Sequence, residues 1–249
     1  MHPHLLAVEL AVQDVDGVHV ALDVEADRVE LCSALGLGGL TPSMGTIESA
    51  VQAAVAAGRS DFVHVLVRPR PGGFVYSAPE IDTTVRDIRA ARKAGASGVV
   101  VGALAANGQV DAAATRAFVE AAEGIAVTFH RAIDAGGDPL TALDILIDLG
   151  IDRVLTSGGA RQSLDGRSVL AAMVAHSAGH LSIMAGGGVT VASIPLLKTA
   201  GVHAVHLSAK RVVDTAGPSG PGGGEALFEV TDTGIAKSAM AAARSTVAQ

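Results

Sequence analysis

The chain has 249 residues, a formal net charge of −7, one cysteine and an aromatic content of only 2%. That length suits one α/β barrel or two small domains, and no apolar run in it is long enough to span a bilayer. Few aromatics and no dense Lys/Arg cluster argue against nucleic-acid binding, and a lone Cys32 permits neither an internal disulfide nor a Cys-x-x-Cys zinc or redox pair.

The start, MHPHLLAVEL, lacks a basic stretch leading into an apolar run with a cleavage site, so cytoplasmic location is the expectation. Short β-branched runs then recur along the chain at Leu5–Val12, Arg28–Leu31, Phe62–Val67, Gly98–Val101, Ala126–Phe129, Arg153–Thr156, Leu181–Ala185 and Val202–Leu207. Amphipathic stretches such as Thr46–Ala57, Pro79–Ala94, Pro139–Leu149 and Val191–Thr199 separate them, several opened by Pro or an Asp cap and closed by Gly. Strand followed by helix, eight times over, calls for parallel strands joined by right-handed crossovers. The fold class expected is therefore α/β, a single (β/α)8 TIM-like barrel over residues 1–249. Two Gly/Pro-rich segments, Gly36–Gly45 and Arg68–Ser77, follow the second and third strands, where functional βα loops lie. A third, Asp214–Glu225, follows the eighth and reads equally as a lid or as a connection to the last helix.

Side chains two apart on a strand share a face. Glu9 then aligns with Ala11, Glu30 with Cys32, His64 with Leu66 and Arg68, Thr128 with His130, and His206 with Ser208. The other faces read Leu10, Val29, Leu31, Val65, Val67, Val127, Phe129, Val205 and Leu207, as expected of a helix-facing layer. The polar set therefore belongs inside. Ionisable groups buried there demand pairing, so they form either a salt-bridged plug or a ligand site. Glu9, Glu30, Arg68, His130, Asp134 and His206 are the catalytic candidates, with Arg131 beside Arg68 as a second group able to hold an anion. Ser157-Gly158-Gly159 and Gly186-Gly187-Gly188 each end a strand before a helix, and with Ser208 they are candidates for cradling a phosphate or carboxylate on free backbone N–H groups. No organic cofactor is called for.

Several blocks in register match a known pattern. They are Arg28–Ser33 leading to Gly39–Ser43, Val67–Arg70, Tyr76-Ser77, Thr128–Ala132 with Asp134, Arg153–Gly159, Gly186–Gly188 and His206–Ala209. Together, over roughly residues 6 to 247, they resemble the CutC family. The resemblance implies a TIM-like barrel in the cytoplasm that forms homo-oligomers, is linked to copper tolerance and in some members binds copper(I). Cys32, His130 and His206 would then be the metal ligands. The family often carries a cysteine near the end of its first strand, and here that stretch reads Glu9-Leu10-Ala11-Val12. Copper(I) prefers sulfur ligands, so beyond Cys32 only Met44, Met184 or imidazoles are at hand. Three readings follow. One is a copper-homeostasis protein holding copper(I) at the barrel mouth, and another an enzyme acting on a small anionic or phosphorylated metabolite. The third is a scaffold acting through oligomer contacts.

Overall fold

The structure is a computed structural model that describes residues 6–214 and 227–245. Eight parallel strands close into a barrel: β1 (Ala7–Val12), β2 (Arg28–Leu31), β3 (Val63–Leu66), β4 (Gly98–Val101), β5 (Ala126–Phe129), β6 (Arg153–Thr156), β7 (Ser182–Gly186) and β8 (Ala204–Leu207), with β8 pairing back onto β1. Helices α1 (Val15–Asp23), α2 (Met44–Ala56), α3 (Ala78–Lys93), α4 (Ala112–Ala122), α5 (Pro139–Asp148), α6 (Arg167–Ser177) and α7 (Ile194–Thr199) fill the connections, and α8 (Thr233–Arg244) completes the outer ring. No helix among the described residues is long and apolar enough to cross a membrane.

Local chemistry sets the helix starts. Asp14, Ser43, Asp111, Asp138 and Asp232 each accept a hydrogen bond from a first-turn N–H of the helix that follows. A cap of this kind contributes about 1 kcal/mol. The apolar layer between strands and helices holds Leu10, Val29, Leu31, Val65, Val67, Val127, Phe129, Val205 and Leu207, the face that strand alternation assigns to it. Each large side chain fully buried there contributes about 1.5–3 kcal/mol relative to exposure.

The barrel interior is unusual in being largely polar. Strand register sets Glu9 beside both Arg28 and His206, Glu30 beside His64, and Thr128 beside Arg153. Aliphatic packing inside shrinks to two small clusters, Cys32 with Leu66 and Val100, and Leu155 with Met184 and Ala204.

Between β8 and α8 the chain adds an antiparallel pair, β9 (Lys210–Asp214) with β10 (Leu227–Thr231), which the strand pattern of the sequence does not announce. Of the Asp214–Glu225 segment only Asp214 lies among the described residues, as the last residue of β9. The Gln13 side chain ties the pair to the end of β1 by donating to the Glu229 carbonyl at 2.7 Å.

Candidate functional site

A cavity of about 290 Å³ opens at the carboxyl ends of the strands, a small volume for a ligand pocket. Glu30, Arg68, His130, His206, Gly187, Gly188 and Ser208 line it, together with Phe74, Arg131, Val189 and Lys210. The site thus sits where a barrel's βα loops converge.

Its floor is built from β1, β2 and β8. Glu9 is fully buried and accepts from Arg28 Nε at 2.5 Å and from His206 Nδ1 at 2.8 Å. Burial alone would raise the Glu9 pKa, but Arg28 and His206 outweigh it and hold the carboxyl well below the usual range. With Nδ1 engaged by Glu9, His206 Nε2 lies 3.7 Å from Glu30 Oε2. Burial, reinforced by the Glu9 charge, pushes the Glu30 carboxyl up to about 7. Burial works against a charged His206, but the two carboxylates prevail and raise its pKa. The floor therefore sets a carboxyl whose pKa is raised beside an imidazole whose pKa is raised as well.

One wall is formed by β3, β5 and the segment after β3. Arg68 is only 7% exposed; its Nη1 donates to the Leu37, Gly38 and Gly39 carbonyls and its Nη2 to that of Gly72. The two Gly/Pro-rich segments meet on this guanidinium. Its Nε has no hydrogen-bond partner among the described residues. Phe74 packs against both Arg68 and His130, its ring 5.1 Å from the imidazole. His130 Nδ1 accepts from the Ala132 N–H at 3.1 Å, which places the ring proton on Nε2, a buried atom that likewise lacks a partner. Burial and the nearby Arg68 charge push His130 down to about 3, so the ring is neutral. Gly102 makes the space for it, since a Cβ there would lie 2.5 Å from the imidazole.

The opposite wall is the turn after β7. Gly187 and Gly188 have φ of 101° and 65°, a left-handed backbone that glycine adopts without strain. The N–H groups of Gly188 and Val189 donate to no described residue. The Arg131 guanidinium lies directly over Gly187, where a Cβ would come within 2.8 Å of Cζ. Its Nε donates to Asp134 at 2.8 Å and its Nη2 to Ser157 Oγ at 3.1 Å.

Other candidates from the sequence lie outside this cavity. Asp134 accepts from Arg131 Nε, Thr156 Oγ1, Ser157 Oγ and the N–H groups of Ser157 and Gly159. It thereby fills the turn at Ser157-Gly158-Gly159, which already contains its anion, and Gly158 N–H donates to Thr156 Oγ1. Gly186 closes β7 beside His206, where a Cβ would meet Leu155 at 2.3 Å. His64 is buried beneath the floor with its pKa lowered to about 4 by desolvation. Phe74, Lys210 and the Val189 backbone join the cavity although strand parity does not single them out. Each lies beyond the end of the preceding barrel strand, where that strand's alternation no longer applies, and their nearness in sequence to Arg68, Ser208 and the Gly186–Gly188 run is the only signal they carry.

Of Cys32, His130 and His206, only His206 belongs to a clustered group of metal-ligand type among the described residues. Among the described residues the group with metal-ligand atoms within 4.8 Å of one another is Glu9, Glu30 and His206. Cys32 is buried in the apolar cluster, its thiol reaches the Val12 carbonyl at 3.5 Å, and burial pushes its pKa far above the usual thiol value. His130 commits its Nδ1 lone pair to Ala132. The Met184 sulfur accepts from Arg28, on the far side of Glu9. Oxygen and nitrogen donors gathered without sulfur do not fit copper(I).

Comparison with known proteins places the chain. The model of the CutC family matches residues 6–211. A CutC family protein of Vibrio vulnificus (strain YJ016) is 44% identical over 206 residues, covering 82% of this chain and 80% of its own. One from Pasteurella multocida is 39% identical over 206 residues, 82% of each chain. The crystal structure of CutC from Streptococcus agalactiae superposes with a TM-score of 0.77 at 30% identity, covering 82% of this chain and 98% of that one. The chain therefore belongs to the CutC family.

Proposed function

We propose that the barrel mouth binds a small anionic metabolite and moves a proton on it, with Glu30 and His206 as the acid–base pair. The anion, a phosphate or a carboxylate, is held by the N–H groups of Gly188 and Val189 and by Arg131. Glu9 orients the His206 ring and keeps its Nε2 toward Glu30. The single observation that carries this reading is the 3.7 Å approach of His206 Nε2 to Glu30 at the floor of a cavity whose far wall offers unpaired backbone donors. Proton transfer by a positioned pair whose pKa values lie near the working pH accelerates reactions about 10²–10⁴-fold.

The copper(I) reading finds weaker support in these residues, because the one thiol is buried and protonated. A copper phenotype then follows from the metabolite chemistry rather than from ligation of the ion at Cys32.

The test is calorimetric titration of the wild type and E30Q with inorganic phosphate and a panel of small phosphorylated and carboxylated metabolites. Binding that E30Q retains, with substrate-dependent proton exchange that E30Q loses, is the expected result. If no anion in the panel binds the wild type, the reading fails.

A further inference from the structure

Arg68 and His130 form a feature that the acid–base pair and the β7 turn leave unused. Both side chains line the cavity and both are more than nine-tenths buried. Arg68 satisfies four contacts with backbone carbonyls, all neutral, and no described carboxylate pairs with its charge. The nearby Tyr76 hydroxyl is neutral as well. An unpaired ion in a site shielded from water costs several kcal/mol, so buried guanidinium groups are ordinarily matched by an anion. Arg68 Nε–H and His130 Nε2–H are buried donors without acceptors. Each leaves a desolvation penalty that an incoming oxygen would relieve. The Phe74 ring packs against both residues and holds them on one wall. This wall supplies side-chain donors and a full positive charge, whereas the β7 turn supplies backbone N–H groups.

From this we infer that Arg68 and His130 form a second anion subsite, which receives a carboxylate of the substrate, so that the substrate carries two acidic groups, a phosphate at the β7 turn and a carboxylate at Arg68–His130. The inference rests on the proposed metabolite site and narrows its substrate class to phosphorylated short-chain carboxylic acids. The small cavity agrees, since at about 290 Å³ it suits a compound of a few carbons. The carbon between the two acidic groups would then lie over the floor, within reach of Glu30 and His206.

The experiment is a calorimetric comparison of 3-phosphoglycerate and phosphoglycolate with glycerol 3-phosphate, which lacks the carboxylate, on the wild type and on H130F and R68K. In the wild type the carboxylate-bearing compounds should bind about ten-fold or more tightly than glycerol 3-phosphate, the usual worth of a charge-assisted hydrogen bond. H130F keeps an aromatic ring against Phe74 and removes the donor, and it should shrink that advantage several-fold while leaving glycerol 3-phosphate affinity unchanged. R68K keeps the charge and loses the fork, so a partial reduction is expected. Because Arg68 also ties down two loops, H130F and the wild-type comparison are decisive if R68K does not fold. Equal binding of all three phosphates overturns the second subsite and leaves the metabolite site standing. Binding of none of them, nor of inorganic phosphate, removes the phosphate site and the inference with it.

Discussion

Glu9 Oε1 accepts the Nδ1 proton of His206 at 2.8 Å, and this one contact fixes which nitrogen of the ring faces the cavity. The other Glu9 oxygen accepts from Arg28 Nε, so the orientation of His206 depends on an ion pair deep in the barrel. Removing one partner of a buried pair strands the other. E9Q should therefore destabilise the fold by about 3 kcal/mol, measured by urea unfolding, and E9L combined with R28M should recover much of that loss. A double variant no more stable than E9Q would show that Arg28 has other compensation.

Stability should vary with pH through Glu30. Its folded pKa of about 7 exceeds the ordinary value of 4.5, so between those limits the folded state holds a proton that the unfolded state has released. The Glu30 contribution is therefore full below about pH 4.5 and is lost as pH rises toward 7. Relative to E30Q, whose neutral amide has no such titration, the wild type should lose stability across that window. Unfolding curves at half-unit pH steps decide it, and a constant difference between the two proteins would refute the buried, protonated Glu30.

Cys32 should behave as a small apolar side chain. The native protein is expected to resist thiol reagents and to react once unfolded in urea, because the thiolate is disfavoured by burial. Anaerobic copper(I) titration against a competing chelator should give the same affinity for the wild type and C32S. A loss of tight, one-equivalent binding in C32S would restore copper ligation at this residue.

Gly187 is expected to tolerate no side chain. Its φ of 101° opposes alanine, and so does Arg131, whose guanidinium a Cβ at this position would approach to 2.8 Å. G187A should lose stability by about 1–3 kcal/mol and weaken phosphate binding ten-fold or more, read by calorimetry. Unchanged phosphate affinity in a folded G187A would move the anion site elsewhere.

Asp134 gathers donors from the β6 turn and from Arg131. D134A leaves the buried Thr156 and Ser157 donors unsatisfied and frees Arg131 from its anchor. A loss of about 3 kcal/mol is expected, together with weaker phosphate binding at any pH, whereas a catalytic carboxylate would have changed the shape of a pH–rate profile.

Much of the architecture was legible because strand and helix patterns alternate cleanly and because parity is a local property. Glu9, Glu30, His64, Arg68 and His130 are buried on the faces their spacing assigns. Parity also carried information that went unread, since Arg28 shares the inner face with Glu30, and Arg153 with Leu155. Which side chains at the strand ends reach the cavity is a tertiary quantity, and it separates Cys32 and Asp134, which lie outside the cavity lining, from Glu30 and His206, which line it. The β9–β10 pair was hidden because its two arms flank a Gly/Pro-rich stretch that dominates the local composition.

The glycines beside the imidazoles carry an evolutionary consequence. Gly98 faces His64, Gly102 faces His130 and Gly186 faces His206, and in the first two a Cβ would come within 2.6 Å of the ring. Neither member of such a couple is free to drift alone. A methyl arriving first would collide with the ring, and a ring lost first would open a void. Substitutions at these positions should therefore appear across relatives as correlated pairs, with glycine retained wherever histidine is retained.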